Sequence, residues 1–169
     1  MTKRKRKSNT VIFLVIVVLV FSATIFIRAY TANKVLSEFA SDTSELDGID
    51  VKYEPNPTLY LFKGCSGIRM GITNDQAFSI REVITRNMFD RPLTHDLAFE
   101  VLNSYRIRLV YAKIDDIKNG IYTAKLLFSD GTTLYEADSR PSDMAALTLR
   151  YGNKFGISDG IVSNMTKIC

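Results

Sequence analysis

The sequence predicts an α+β protein: a single two-layer domain of mostly antiparallel strands with packed helices, preceded by one N-terminal transmembrane helix. Three observations predict it. Val11 to Ile27 is 17 residues long without a charge, at the short end of what spans a bilayer. Short alternating apolar runs flank glycine-bearing turn signals, Lys63-Gly64-Cys65-Ser66-Gly67 and Ser129-Asp130-Gly131, as hairpins require. Between them lie segments with apolar residues at helical spacing. Two of these open at Arg-Pro corners, Arg91-Pro92 and Arg140-Pro141.

The apolar run sits between Lys3-Arg4-Lys5-Arg6-Lys7 and Arg28, and Thr10 with Ala29-Tyr30 extends it. A cleaved signal peptide is the rival reading. Its apolar region is usually about 7–15 residues and ends in small residues, whereas this run stays β-branched to its end and only Phe21-Ser22-Ala23 resembles a cleavage site. An uncleaved anchor is the better reading, and no cysteine follows the run closely enough for a lipoprotein. The expected organisation is a basic cytoplasmic tail over 1–9, an anchor over 10–30, a stalk or linker over 31–48, and a domain over 49–169. Basic residues hold the N-terminal side in the cytoplasm, so the domain faces outward.

The basic pI belongs to the tail. Six of the 22 basic residues precede Thr31 and all 18 acidic ones follow it, leaving 16 against 18, net −2. The domain therefore carries no general positive field for a phosphate backbone. Arg81, Arg86, Arg91, Arg106 and Arg108 are close enough in sequence to form a local patch; the plainer reading is solvated faces. Cys65 and Cys169 are either bridged in an oxidising compartment, pinning the C-terminus, or two unpaired thiols. Two cysteines and one histidine exclude zinc-finger and HExxH arrangements.

In chain order, Thr31 to Glu45 reads as stalk, with Val35, Leu36 and Phe39 at helical spacing. Ile49 to Tyr53 alternates as a strand and ends at Pro55-Asn56-Pro57. Thr58 to Phe62 and Ile68 to Ile72 form a hairpin around Cys65. Asn74 or Asp75 caps a helix to about Asn87, with Ala77, Ile80, Val83 and Ile84 inward. Thr94 caps the next helix, which runs to Ser104 with Leu97, Ala98, Val101 and Leu102 inward. Arg106 to Ile114 is a strand, Asp115 to Gly120 a turn, and Ile121 to Phe128 and Thr132 to Ala137 an Asp-Gly hairpin. Pro141 then starts a helix to Arg150, its missing N–H costing nothing there. Lys154 to Ile157 is a last strand and Asp159 caps a short final helix.

Arg91-Pro-Leu-Thr-His-Asp-Leu97, Ile114-Asp115, Gly120-Ile-Tyr-Thr-Ala124 and Asp138-Ser-Arg-Pro-Ser-Asp143 with Ala145-Ala-Leu147 resemble, in order and spacing, the bifunctional nuclease domain family from about Leu59 to Ile161. The resemblance implies an α+β fold and, as in plant members, DNase and RNase activity; many bacterial and archaeal members have no established activity. Ser139 and Met144 stand where the family usually has alanine, and Asn74 near a position expected to be acidic.

Phosphodiester hydrolysis needs an activated water, stabilisation of developing charge and help for the leaving oxygen. His95 is the only histidine and so the natural general acid or base. Asp96, Asp138 and Asp143 are candidates to orient it, with Asp138 and Asp143 the oxygen ligands for a divalent cation such as Mg²⁺ or Mn²⁺. Arg91 and Arg140 suit bidentate phosphate binding, with Thr94 and Ser142 at the two helix starts. The alternative is an architectural lock, with Arg91 paired to Asp143 and Arg140 to Asp96, or each arginine paired within its own corner. Two functions follow: a membrane-anchored nuclease of low sequence specificity acting on DNA or RNA, or a non-catalytic anchored module binding an anion or a protein partner. Exposed strand edges add a homo-oligomer as a third reading.

Overall fold

In the computed structural model, which describes residues 2–86 and 91–169, the apolar run becomes part of one long helix, α1 (Thr2–Ala40). By length and composition it is able to cross a membrane. Residues 11–30 would cover about 30 Å, the thickness of a hydrocarbon core. Val11 to Ile27 is solvent-exposed throughout. The helix continues ten residues beyond Tyr30 and docks by Phe39, whose ring meets Tyr111 edge-on at 6.2 Å.

The expected linker over 31–48 therefore divides. Its first part is helix, and its second is a strand, β1 (Thr43–Leu46), paired antiparallel with β8 (Phe155–Ser158). The remaining elements are β2 (Gly48–Lys52), β3 (Thr58–Lys63), β4 (Ser66–Gly71), α2 (Asn74–Thr85), α3 (Thr94–Ser104), β5 (Arg108–Lys118), β6 (Ile121–Ser129), β7 (Leu134–Ser139), α4 (Pro141–Tyr151), a 3₁₀ turn (Asp159–Asn164) and β9 (Thr166–Lys167). They make an α+β domain with two sheets, ordered β1-β8-β5-β6-β7 and β2-β3-β4-β9. Among the described residues only β5 and β8 pair in parallel.

The core fills the space between α4, α2 and the inner faces of both sheets. Met144, Ala145 and Ala146 from α4, Ile80 from α2, Ile114 and Ile157 from the first sheet, and Leu59 and Leu61 from the second are fully buried. α4 is the central helix: seven of its residues from Pro141 to Thr148 are buried, and Gly152 ends it in the left-handed region at φ +65°. Two helix starts differ from expectation. Thr73, not Asn74 or Asp75, caps α2 through a reciprocal box with Gln76. Leu93 occupies the cap position of α3, so Thr94 is already helical. Leu97 and Val101 face solvent, because α3 packs on the domain through Ala98 and Leu102. α2 ends at Thr85 with Arg86 as its C-cap in the left-handed region at φ +55°, and Asn87, the expected end, lies outside the described residues.

β5 runs through the expected turn as far as Lys118, with register shifts between Leu109 and Tyr111 and between Ile114 and Asp116. The loop between β6 and β7 is held by Asp130, which accepts from the N–H groups of Thr132 and Thr133. Cys65 and Cys169 form a disulfide with Cα atoms 5.3 Å apart. It lies beside the short β4–β9 pairing and pins the C-terminus to the hairpin tip.

Candidate functional site

The two Arg-Pro corners meet because α4 packs against both α3 and α2. Each corner is closed by its own first-turn carboxylate. Asp96 Oδ2 accepts the Leu93 N–H at 2.8 Å. Asp143 takes both ends of the Arg140 guanidinium, Nε at 2.7 Å and Nη2 at 3.1 Å. Such a forked pair is a strong, geometrically defined contact.

His95 joins the corners. Its Nε2 lies 3.2 Å from Asp143 Oδ1 and its Nδ1 2.9 Å from the Ser79 hydroxyl on α2. The imidazole is 18 % exposed and Asp143 25 %, so the pair sits at the rim of the packed interface. Arg140, 70 % exposed, reaches past them into solvent. Beneath lies Arg150, only 5 % exposed. Its Nε donates to Asp96 Oδ1 at 2.7 Å, and its Nη1 donates to the carbonyls of Ala146 at 2.9 Å and Ser79 at 3.4 Å. Its Nη2 donates to Ser79 Oγ at 3.4 Å. Both carboxylates titrate below the usual range. For Asp143, burial works against ionisation, but the contacts from Arg140 and His95 outweigh it. For Asp96, burial is likewise outweighed by Arg150 and the Leu93 N–H.

The structure thus brings together His95, Asp96, Asp143 and Arg140 of the residues singled out from sequence. The others make no hydrogen bond or ion pair to this group among the described residues. Arg91 is exposed and pairs with no acidic group among the described residues. Thr94 is exposed, and Ser142 is buried in the first turn of α4. Asp138 is exposed on β7 opposite Lys125 of β6. The cross-paired lock of Arg91 with Asp143 and Arg140 with Asp96 is not what forms: Arg140 stays within its own corner, and Arg150 takes Asp96.

Among the described residues no group of three or more His, Cys, Asp and Glu side chains converges. Both oxygens of Asp143 and both of Asp96 already face guanidinium, imidazole or N–H donors. Two shallow concavities lie elsewhere, one beside the disulfide and one where α1 docks.

Ser79 and Arg150 were not among the residues singled out from sequence. The signal for Ser79 is a hydroxyl on the buried face of α2, next to Ile80. For Arg150 it is a charge continuing the apolar stripe of α4.

The family model described as the bifunctional nuclease domain matches residues 63–168, most of the chain and every residue of this cluster. The chain belongs to the bifunctional nuclease domain family. Two uncharacterised proteins of Mycobacterium tuberculosis, MT1877 of strain CDC 1551 / Oshkosh and Rv1829 of strain ATCC 25618 / H37Rv, are each 27 % identical over 119 residues. That covers 69 % of this chain and 71 % of theirs. The bifunctional nuclease domain begins at the β3–β4 hairpin, so α1, β1 and β2 lie outside the match.

Proposed function

We propose that this protein is a membrane-anchored, nuclease-like hydrolase that cleaves phosphodiester bonds of DNA or RNA with low sequence specificity at the joined Arg-Pro corners. α1 spans the bilayer through residues 10–30, with the basic tail cytoplasmic and the domain outside. The observation that carries the reading is the His95–Asp143 pair at 3.2 Å. It couples the two corners, which are 48 residues apart in sequence, and leaves a proton-transfer pair at the solvent rim. Arg140 holds Asp143 with two N–H groups and, being largely exposed, has others to offer a phosphate oxygen. Arg91, exposed at the start of the first corner, supplies a second cation. His95 and Asp143 are the acid–base pair for the attacking water and the leaving oxygen. The net −2 of residues 31–169 suits short or single-stranded substrates better than long duplexes.

A second reading has its own observation: the cluster is closed, with Asp96 and Asp143 satisfied inside the protein. That favours a non-catalytic module whose exposed Arg140 binds an anion or a protein partner. The full chain in detergent micelles, incubated with labelled single-stranded DNA and RNA in Mg²⁺, in Mn²⁺ and in chelator, separates the two. Cleavage supports the hydrolase. Binding of nucleotide or inorganic phosphate without cleavage supports the module.

A further inference from the structure

We infer that Ser79 and Arg150 are positioning residues that place the ring proton of His95 on Nε2, so that in the resting site His95 donates and Asp143 accepts. Its bearing on hydrolysis rests on the function proposed above; the placement of the proton does not. A guanidinium has five donors and no acceptor. Arg150 therefore donates to Ser79 twice, to the carbonyl and to Oγ, each at 3.4 Å. With Oγ receiving from Arg150, the hydroxyl hydrogen is free for His95 Nδ1 at 2.9 Å. Nδ1 is then the bare nitrogen, and a neutral imidazole carries its one proton on Nε2.

The other end of the chain agrees. An ionised carboxylate only accepts, and Asp143 Oδ1 is 3.2 Å from Nε2. Arg140 also only donates to it. Running the chain backwards would require a proton on Asp143, whose carboxyl is held ionised beside Arg140. Ser79 and the Arg150 side chain are each only 5 % exposed, so their contacts are with protein groups and bulk water does not compete. His95 thus turns an N–H, not a lone pair, toward Asp143 at the rim. Asp143 is the group left to take a proton from water. Neither Ser79 nor Arg150 touches the open rim; each acts through His95 or Asp96.

His95 is the only histidine in the chain, so its ring nitrogens can be read without assignment. The test is a long-range ¹H–¹⁵N spectrum of the full chain in micelles near neutral pH, with ¹⁵N-labelled histidine. The expected spectrum shows Nε2 as the proton-bearing nitrogen and Nδ1 as a bare, hydrogen-bonded one. In Ser79→Ala, Nδ1 should move toward the position of a bare nitrogen without a hydrogen bond, while Nε2 keeps its proton. In Asp143→Asn, whose amide can either donate or accept, Nε2 should still carry the proton because Ser79 still donates to Nδ1, and a mixture of tautomers there would overturn the inference. A proton on Nδ1 in the wild type overturns the inference, as does an unmoved Nδ1 in a folded Ser79→Ala. Should Ser79→Ala not fold, the wild type and Asp143→Asn decide it. The spectrum is independent of turnover. A protein that shows it yet cleaves nothing sinks the hydrolase and leaves the proton placement standing.

Discussion

Replacing Arg150 by methionine removes the one buried cation beneath the site while keeping most of its volume. The guanidinium makes four contacts, to Asp96, Ala146 and twice to Ser79. Breaking a fully buried ion pair from one side costs about 3–5 kcal/mol, because the surviving charge is left unpaired. Asp96 is 36 % exposed, so water recovers part of that, and about 2–3 kcal/mol remains. With a urea slope of about 1–3 kcal/mol per molar for a domain of this size, the unfolding midpoint should fall by about 1–2 M. Tyrosine fluorescence of the full chain in micelles follows the transition, since the chain has eight tyrosines and no tryptophan. The pH dependence has a definite sign. Asp96 titrates lower when folded because Arg150 and the Leu93 N–H outweigh burial. Its contribution is therefore present above the unfolded value of about 3.9 and is lost as pH falls through the folded value. The gap between wild type and Arg150→Met should narrow below about pH 4. A variant as stable as the wild type at neutral pH would refute the reasoning and place Arg150 in solvent.

Cys65→Ser with Cys169→Ser should destabilise the domain by about 2–4 kcal/mol, since the bridge closes a loop of 104 residues; a reductant should lower the urea midpoint of the wild type and leave the double variant unmoved. Gly156→Ala should cost about 1–3 kcal/mol by overpacking, because an added Cβ would meet Thr43 Cγ2 and stand 2.8 Å from both the Ser44 carbonyl and the Tyr111 hydroxyl; a midpoint equal to the wild type would contradict the β1–β8–β5 packing. Phe39→Ala should loosen the seat of α1 on the sheet and speed protease cleavage between Thr31 and Asp42, with unchanged cleavage as the contrary result.

The helices and hairpins were legible where local chemistry decides them. Pro141 opens α4, and the Asp130-Gly131 loop joins β6 and β7, because a missing N–H and a short carboxylate act within a few residues. β1 was not legible. Thr43-Ser44-Glu45-Leu46 is a short edge strand with one buried side chain, and its partner β8 lies 115 residues away. The split into two sheets depends equally on distant pairing, as does β9. At the site, His95, Asp143 and Arg140 were visible because they share motifs with their own corners. Ser79 and Arg150 were not, because each matters through packing among three helices. Arg91, Thr94, Ser142 and Asp138 share those motifs but make no hydrogen bond or ion pair to the cluster among the described residues: a motif fixes spacing along the chain, and helix phase and strand register then decide which side chains face one another.

The most direct test of the central claim is cleavage of labelled single-stranded DNA and RNA by the full chain beside His95→Ala and Asp143→Asn, all prepared identically and shown to be folded. The joined corners predict that both variants lose at least about 100-fold in rate, the usual contribution of a proton-transfer group. Cleavage that persists undiminished in both would place the chemistry outside the cluster and contradict the account.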